Sequence, residues 1–231
     1  MLGYGQKEWF LMRILSTRVR RVSAAAIAAV AIAAGGTAAS AQASKPSTTS
    51  FSLFSNNPTI QNCFAAPGKT PTATVHVQRG QLNDRLELEI KNFKPDLDFD
   101  VFTVENAPQL SDGTANPGFV KGNFGFSWYQ SDLHSDHHGN GLITLKTILL
   151  DQIFGFDAGR GVNPVNTFNV GFWFNNPADA AACGFTGFTP FNGEHHAGPL
   201  AFVTRPNAVT NLGPLCTAPI AGAGGTFTCN P

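Results

Sequence analysis

Between residues 72 and 90 the chain alternates hydrophobic and polar residues with a period of two, which is the pattern of a β-strand with one buried face. Arg85–Ile90 shows this most clearly, because three aliphatic residues alternate with three charged ones. Thr72–Gln78 alternates in the same way, and the turn-forming residues 79–84 separate the two runs. Together these runs predict an antiparallel hairpin whose sheet is buried on one side.

Further short strands are predicted along the chain, separated by segments rich in Gly, Asn and Pro. They are Phe51–Phe54, Asp96–Thr103, Phe124–Gln130, Gly141–Ile148, Thr167–Phe174 and Leu200–Thr204. The turn formers of Ser135–Gly141 predict that the strands on either side of them form a second hairpin. Helical periodicity is absent after residue 43. The pattern predicts an all-β protein, an antiparallel β-sandwich of the immunoglobulin-like or jelly-roll-like kind.

Two of these strands carry aromatic stripes. Phe124, Phe126 and Trp128 share one face of their strand, as do Phe172 and Phe174 of theirs. Stripes of this kind are typical of a protein core, so we expect these side chains to be buried. The alternative is a carbohydrate platform made of exposed aromatic residues. Its candidates are Trp128, Tyr129 and Trp173.

One predicted strand carries an acidic face. Asp96, Asp98 and Asp100 alternate with apolar residues, which places the three carboxylates on one side. We expect this side to lie in solvent, where its charges discourage pairing with the strand of another chain. Neighbouring carboxylates on one face are about 6.8 Å apart along a strand, which is too far to share one metal ion without help from a loop.

The first 43 residues have the three parts of an export signal. Four arginines between residues 13 and 21 precede the apolar run Ala24–Ala34, which is shorter than the roughly 20 residues of a membrane-spanning helix. Ala41–Ala43 then supplies a small-x-small cleavage site. We therefore expect the signal to be removed at about Ala43 and no transmembrane segment to remain in the mature chain.

The export signal sets the expected domain organisation. We predict a signal peptide at 1–43, a Ser- and Thr-rich linker at 44–57, the sandwich at 58–205 and a disulfide-held tail at 206–231. Translation from Met1 and translation from Met12 both fit this pattern. The predicted location is outside the cell or on its surface.

Charge and composition exclude some classes of partner. The signal region holds five of the 15 basic residues and one of the 15 acidic ones, which leaves a mildly acidic mature chain. A surface of this kind does not suit binding to nucleic acid or to anionic membranes. The 42% hydrophobic content and the 20 phenylalanines predict a real core rather than disorder.

Four cysteines remain in the mature chain, and an even number in an exported protein predicts two disulfides. Three pairings are open to Cys63, Cys183, Cys216 and Cys229. We favour Cys216–Cys229, because it closes a short Gly-rich loop, and this leaves Cys63–Cys183. The spacings do not match a zinc knuckle or a CxxC redox pair.

Five of the six histidines lie in two clusters, each with acidic residues nearby. The candidate metal ligands are His134, Asp136, His137, His138, Glu194, His195 and His196. Imidazole with a nearby carboxylate suits zinc or copper, and a shared site requires the two loops to meet at one end of the sandwich. The competing interpretation is that these are solvated polar residues at the tips of turns.

No complete catalytic motif is present, so no catalytic residue is predicted. Phe124–Trp128 lacks the second Gly of a G-x-S-x-G elbow, and neither a P-loop nor a dinucleotide fingerprint occurs. Glu194–Leu200 resembles the His-Ala-Gly-Asp-Leu stretch of copper–zinc superoxide dismutases, which are also sandwiches. The His-x-His copper pair of that family is missing.

Four segments of the mature chain carry a broader resemblance: Leu97–Val101, Phe124–Asp132, Asp136–Gly141 and Phe191–Leu200. They resemble a group of secreted bacterial proteins of unknown function. The resemblance covers most of the mature domain and implies a β-sandwich, but it implies no activity.

The sequence therefore favours a secreted, non-enzymatic β-sandwich that acts as a binding or structural module. The sequence identifies no partner, and the candidates are a cell-surface component or a glycan. One alternative is a His-rich sandwich that binds zinc or copper and is redox-active. A weaker alternative is a carbohydrate-binding module.

Overall fold

The computed structural model describes residues 48–120, 122–147, 168–185 and 197–229, all of which belong to one compact unit, Ala43–Pro231. The predicted signal peptide and the cluster Glu194–His196 lie outside the described residues. None of the helices in the described ranges has the length and apolar character needed to span a bilayer.

The described part of the chain contains ten strands, two short α-helices and one 3-10 turn, Ala223–Gly225. The strands are β1 (Thr48–Leu53), β2 (Thr72–Gln78), β3 (Asp84–Lys91), β4 (Asp98–Val104), β5 (Ser127–His134), β6 (Gly141–Thr147), β7 (Asn169–Phe174), β8 (Leu200–Val203), β9 (Pro219–Ala221) and β10 (Phe227–Cys229). The helices are α1 (Pro58–Phe64) and α2 (Pro177–Ala181).

The strands form two packed four-stranded sheets, which confirms the predicted antiparallel β-sandwich. The first sheet has the order β1-β2-β3-β6 and the second β5-β4-β7-β8, and every neighbouring pair is antiparallel. β9 and β10 form a separate hairpin. The predicted hairpin of β2 and β3 is confirmed, with Val75 opposite Leu88 in register.

The second predicted hairpin is wrong. β5 and β6 belong to different sheets, so the turn between them carries the chain from one layer of the sandwich to the other. β5 also ends at His134 rather than at Gln130, which places His134 on a strand and not in a loop. Turn residues mark where a chain reverses, but they do not say which sheet the next strand joins.

The core between the sheets is built from aliphatic and phenylalanine side chains. Phe99, Phe172 and Phe174 are fully buried, and the ring centroids of Phe99 and Phe172 are 5.2 Å apart. Phe64 of α1 stacks on Phe93 at 5.1 Å and joins this cluster. The predicted burial of Phe172 and Phe174 is confirmed.

The second sheet is covered on its other face as well. Phe102 and Val104 of β4 alternate with Phe99 and Val101 and pack with Trp173 in a second apolar cluster. β4 lies in the interior of its sheet, so it is buried on both sides. For this reason the prediction that Asp100 faces solvent is wrong. Its carboxylate is fully buried, whereas Asp98 at the start of β4 remains exposed.

Two further details differ from the sequence prediction. β1 begins at Thr48 and pairs with β2 along its whole length, so residues 48–53 of the predicted linker are part of the first sheet. Both helices were missed because they are short. Each has an Asn N-cap followed by Pro: Asn57 accepts from the amide of Thr59, and Asn176 accepts from that of Ala178.

Both favoured disulfides are present. Cys63 and Cys183 link the helical segments, with their Cα atoms 5.4 Å apart. Cys216 and Cys229 have Cα atoms 5.7 Å apart and close the tail, which contains β9 and β10. The tail is anchored at Leu215, which is fully buried and accepts a hydrogen bond from the guanidinium of Arg79 at its carbonyl.

Candidate functional site

Three large aromatic side chains on or beside β5 are exposed. Phe126 is 44% exposed, Trp128 is 49% exposed and Tyr129 is 41% exposed. The prediction that Phe126 and Trp128 belong to the core is therefore wrong, whereas Phe124 is buried as expected. Trp173 is fully buried, which removes it from any surface platform.

Phe126 and Trp128 form what we call the aromatic strip. Their ring centroids are 6.0 Å apart and their planes are inclined by 33°, so the rings present similar orientations to solvent. The two residues are separated by two positions, which places them on one side of an extended chain. β5 is an edge strand of its sheet, and this leaves the strip at the rim of the sandwich rather than between the layers.

The position of the aromatic strip depends on close contact between the backbone at Gly125 and Phe126 and the residue Glu105. The carboxylate of Glu105 accepts a hydrogen bond from the Phe126 amide at 2.6 Å, and the Glu105 amide donates to the Phe126 carbonyl at 3.2 Å. Gly125 has φ +71°, and a Cβ at this position would overlap the Glu105 side chain. Glycine is therefore the residue that allows the chain to turn into β5 here.

A β-bulge in β5 sets the directions of the neighbouring side chains. Val101 lies opposite Ser131 and Phe102 lies opposite Tyr129, so Gln130 is the extra residue. The side-chain amide of Gln130 donates to the Thr103 hydroxyl at 3.2 Å. Gln130 thus supplies a fixed polar group next to the aromatic strip.

Tyr129 lies on the other side of β5 from Trp128. Its ring packs edge-on against Phe102 at 5.7 Å, and its hydroxyl donates to the Asp132 carboxylate at 2.8 Å. Partial burial, the hydrogen bond to Asp132 and the charges of Asp132 and Asp100 raise the pKa of Tyr129 to about 12. The Tyr129 hydroxyl is therefore a neutral hydrogen-bonding group at neutral pH.

The turn between β5 and β6 carries three of the predicted metal ligands. The Asp136 carboxylate accepts from the amides of Asn140 at 2.9 Å and His138 at 2.8 Å, and these bonds hold the pKa of Asp136 below its ordinary value. Asp136 therefore has a structural role in the turn. The rings of His137 and His138 contact each other with centroids 5.9 Å apart.

His134, at the end of β5, has contacts of its own with two acidic residues. Its Nδ1 atom is 2.8 Å from Oδ1 of Asp98, directly opposite in register. Its Nε2 atom is 4.0 Å from Oδ1 of Asp96. Within the ranges that the structure describes, no three His, Cys, Asp or Glu side chains are grouped closely enough to hold a metal ion. The predicted contribution of Glu194, His195 and His196 lies outside those ranges.

The outer face of the first sheet has a polar groove of about 230 Å³. Within it, the Ser50 hydroxyl and Nδ1 of His76 are 2.7 Å apart across β1 and β2. Arg85 and Glu87 of β3 form an ion pair at 2.6 Å beside them. The exposed polar side of the alternating pattern was predicted, but this pairing depends on strand register.

No protein-family model, no curated protein and no solved structure matches this chain. The resemblance to secreted bacterial proteins stays a prediction.

The sequence analysis named Trp128 as a candidate for the less favoured carbohydrate platform, but it placed Phe126 only in the core stripe. Phe124, Phe126 and Trp128 have the same spacing, but Phe124 is buried and the other two are not. Gly125 was the available signal, because a glycine between two aromatic residues marks a change in chain direction.

Proposed function

We propose that this protein is an exported, non-enzymatic β-sandwich module that binds glycans through the aromatic strip. The observation that carries this proposal is the exposure of Phe126 and Trp128, whereas Trp173 and most phenylalanines of the described residues are buried. Export is supported by the N-terminal pattern of the sequence and by the two disulfides, which persist in oxidising compartments.

The chemistry of the strip suits sugar rings. One face of a pyranose presents C–H groups that pack on an aromatic ring, while its hydroxyls need polar partners at the edge. Phe126 and Trp128 supply the flat apolar surface, and Gln130 and the second carboxylate oxygen of Glu105 supply polar groups beside it. Exposed apolar patches rimmed by polar residues commonly mark binding sites.

The rigidity of the strip also supports binding. The bulge at Gln130 and the paired hydrogen bonds between Glu105 and Phe126 hold the backbone in place before a ligand arrives. A surface that is ordered in advance loses less conformational entropy on binding.

The test is retention of the mature chain on a panel of polysaccharides, by pull-down on insoluble glycans and by affinity electrophoresis on soluble ones. We expect at least one glycan to retain the protein, and Trp128→Ala and Phe126→Ala each to weaken retention about tenfold, equivalent to about 1.4 kcal/mol. Leu142→Ala is the matched control, because Leu142 is also exposed but lies on β6 in the other sheet.

Two results would contradict the proposal. One is that no glycan in the panel retains the protein, or that Trp128→Ala binds as well as the unchanged chain. The other is that Trp128→Ala converts a stable dimer into a monomer in light scattering, because the strip would then be a contact between two copies of the chain.

A further inference from the structure

His134 is held in one orientation by a carboxylate. Asp98 Oδ1 lies 2.8 Å from Nδ1 of the imidazole, so the neutral ring places its proton on Nδ1 and leaves Nε2 with a free lone pair. Histidines that bind metals usually donate their other ring N–H to a carboxylate, a backbone carbonyl or water, which fixes both the tautomer and the ring orientation.

The free nitrogen faces a second carboxylate. Nε2 of His134 and Oδ1 of Asp96 are 4.0 Å apart, which is longer than a direct hydrogen bond. Two ligand atoms that each lie about 2.0–2.2 Å from one tetrahedral zinc ion are separated by about 3.4 Å. A small rotation of the exposed Asp96 side chain brings the two atoms to a tetrahedral separation.

The backbone holds these two side chains close together. Ser135 is fully buried, and its carbonyl accepts from the Asp96 amide at 2.9 Å. The Ser135 hydroxyl accepts from the Leu97 amide at 2.9 Å and donates to the Lys94 carbonyl at 2.8 Å. The segment that carries Asp96 is thereby fastened to the residue that follows His134.

We propose that His134 Nε2 and the Asp96 carboxylate bind one divalent transition-metal ion of the zinc type, with Asp98 orienting the imidazole. Both ligands are more than half exposed, so water completes the coordination shell. An imidazole with a carboxylate suits zinc and copper rather than calcium, which takes oxygen ligands.

The chain provides a matched control. His76 is also an exposed histidine with a hydrogen-bonded Nδ1, but its partner is the Ser50 hydroxyl and not a carboxylate. His137 and His138 lie on the adjoining turn and contact each other. Variants of these three histidines therefore distinguish zinc binding at the proposed site from the general affinity of surface histidines for metals.

The experiment uses the mature chain with both disulfides intact and without a histidine tag, titrated with Zn²⁺ alone. Binding is followed by calorimetry and by the ring proton signals of the histidines in NMR spectra. We expect the His134 signals to respond at the lowest zinc concentration and His134→Ala to abolish this response. Asp98→Asn should weaken binding roughly 10–100-fold, since it removes the orienting group.

Asp96→Asn should weaken zinc binding, while His76→Ala and the double variant His137→Ala/His138→Ala should bind as the unchanged chain does. Far-UV circular dichroism checks that each variant is folded. Zinc binding that survives His134→Ala overturns the proposal. The proposal is also overturned if the His137→Ala/His138→Ala variant or the His195→Ala/His196→Ala variant loses as much zinc affinity as His134→Ala, because the ion would then be held elsewhere. Absence of any zinc response overturns it as well.

Discussion

The side-chain amide of Asn175 donates a hydrogen bond to the buried carboxylate of Asp100 over 2.8 Å. Asp100 lies on β4 opposite Trp173 of β7 and Asp132 of β5, beneath the second apolar cluster. Burial of a carboxylate is costly unless hydrogen bonds replace its lost water. Asn175, just beyond the end of β7, therefore helps to make this acidic residue compatible with a covered sheet.

Replacement of Asn175 by Ala should destabilise the protein. We expect the free energy of unfolding to fall by about 1–3 kcal/mol, because one oxygen of a buried carboxylate loses its donor. Urea denaturation followed by circular dichroism measures this. Asn83→Ala serves as the control, since Asn83 is exposed in the turn before β3, and its effect should stay within about 0.5 kcal/mol. Equal stability of the two variants would show that Asp100 does not depend on Asn175.

The two disulfides should differ in their effect on stability. Cys63 and Cys183 are 120 residues apart, whereas Cys216 and Cys229 are 13 apart. Loop-closure entropy assigns about 5 kcal/mol to the long loop and about 3 kcal/mol to the short one. Denaturation of the Cys63→Ser/Cys183→Ser and Cys216→Ser/Cys229→Ser variants compares them. A larger loss in the tail variant would contradict this order.

The two tryptophans of the mature chain should behave differently towards a soluble quencher. Trp128 is half exposed, whereas Trp173 is fully buried between Phe102 and Phe124. Iodide should therefore quench one part of the fluorescence and leave the other. Trp128→Phe should remove the accessible part, and Trp173→Phe the protected part. A single class of accessible emission in the native protein would be inconsistent with this arrangement, and unfolding in urea provides the fully accessible reference.

The Tyr129 hydroxyl should lose its proton only at high pH. A chain that begins near Ser44, as predicted, has Tyr129 as its single tyrosine, so absorbance at tyrosinate wavelengths reports on it alone. Burial raises its pKa to about 12, above the unfolded value of about 10. Because the folded pKa is the higher one, the contribution of Tyr129 to stability is complete below pH 10 and is lost as the pH rises towards 12.

Asp132→Asn removes a negative charge next to the Tyr129 hydroxyl, so it should lower the titration midpoint. Circular dichroism recorded at each pH separates ionisation in the folded protein from ionisation after unfolding. A midpoint near 10 in the folded, unchanged chain would refute the structural origin of the shift.

The exported protein should begin near Ser44. Mass spectrometry of protein recovered from outside the producing cell reads the N-terminus directly. Ala43→Asp places a charged residue at the small-x-small site and should block cleavage, whereas Lys45→Gln lies beyond this site and should leave it unchanged. Recovery of an intact chain from Met1 or Met12 would rule out the predicted signal.

The strand pattern was largely predictable, but burial on the second sheet was not. Residues of β2 and β3 show which side is buried because only one face of their sheet is covered. In β4 the same reasoning failed at Asp100, since both faces are covered and alternation no longer separates core from solvent. For Trp128 the error was the opposite one, because a residue that was predicted to be buried is exposed. An aromatic residue on an edge strand need not be covered by the other sheet.

The sequence by itself determined the fold class and the β2–β3 hairpin, and it favoured, among three open pairings, the disulfide pairing that the structure shows. These follow from alternation, turn residues and cysteine spacing, which are properties of short stretches of chain. Only the tertiary structure decided that β5 and β6 enter different sheets, that Phe126 and Trp128 reach solvent, and that His134 faces Asp96. Each of these depends on which distant segment lies next to a residue, and local periodicity carries no information about that neighbour.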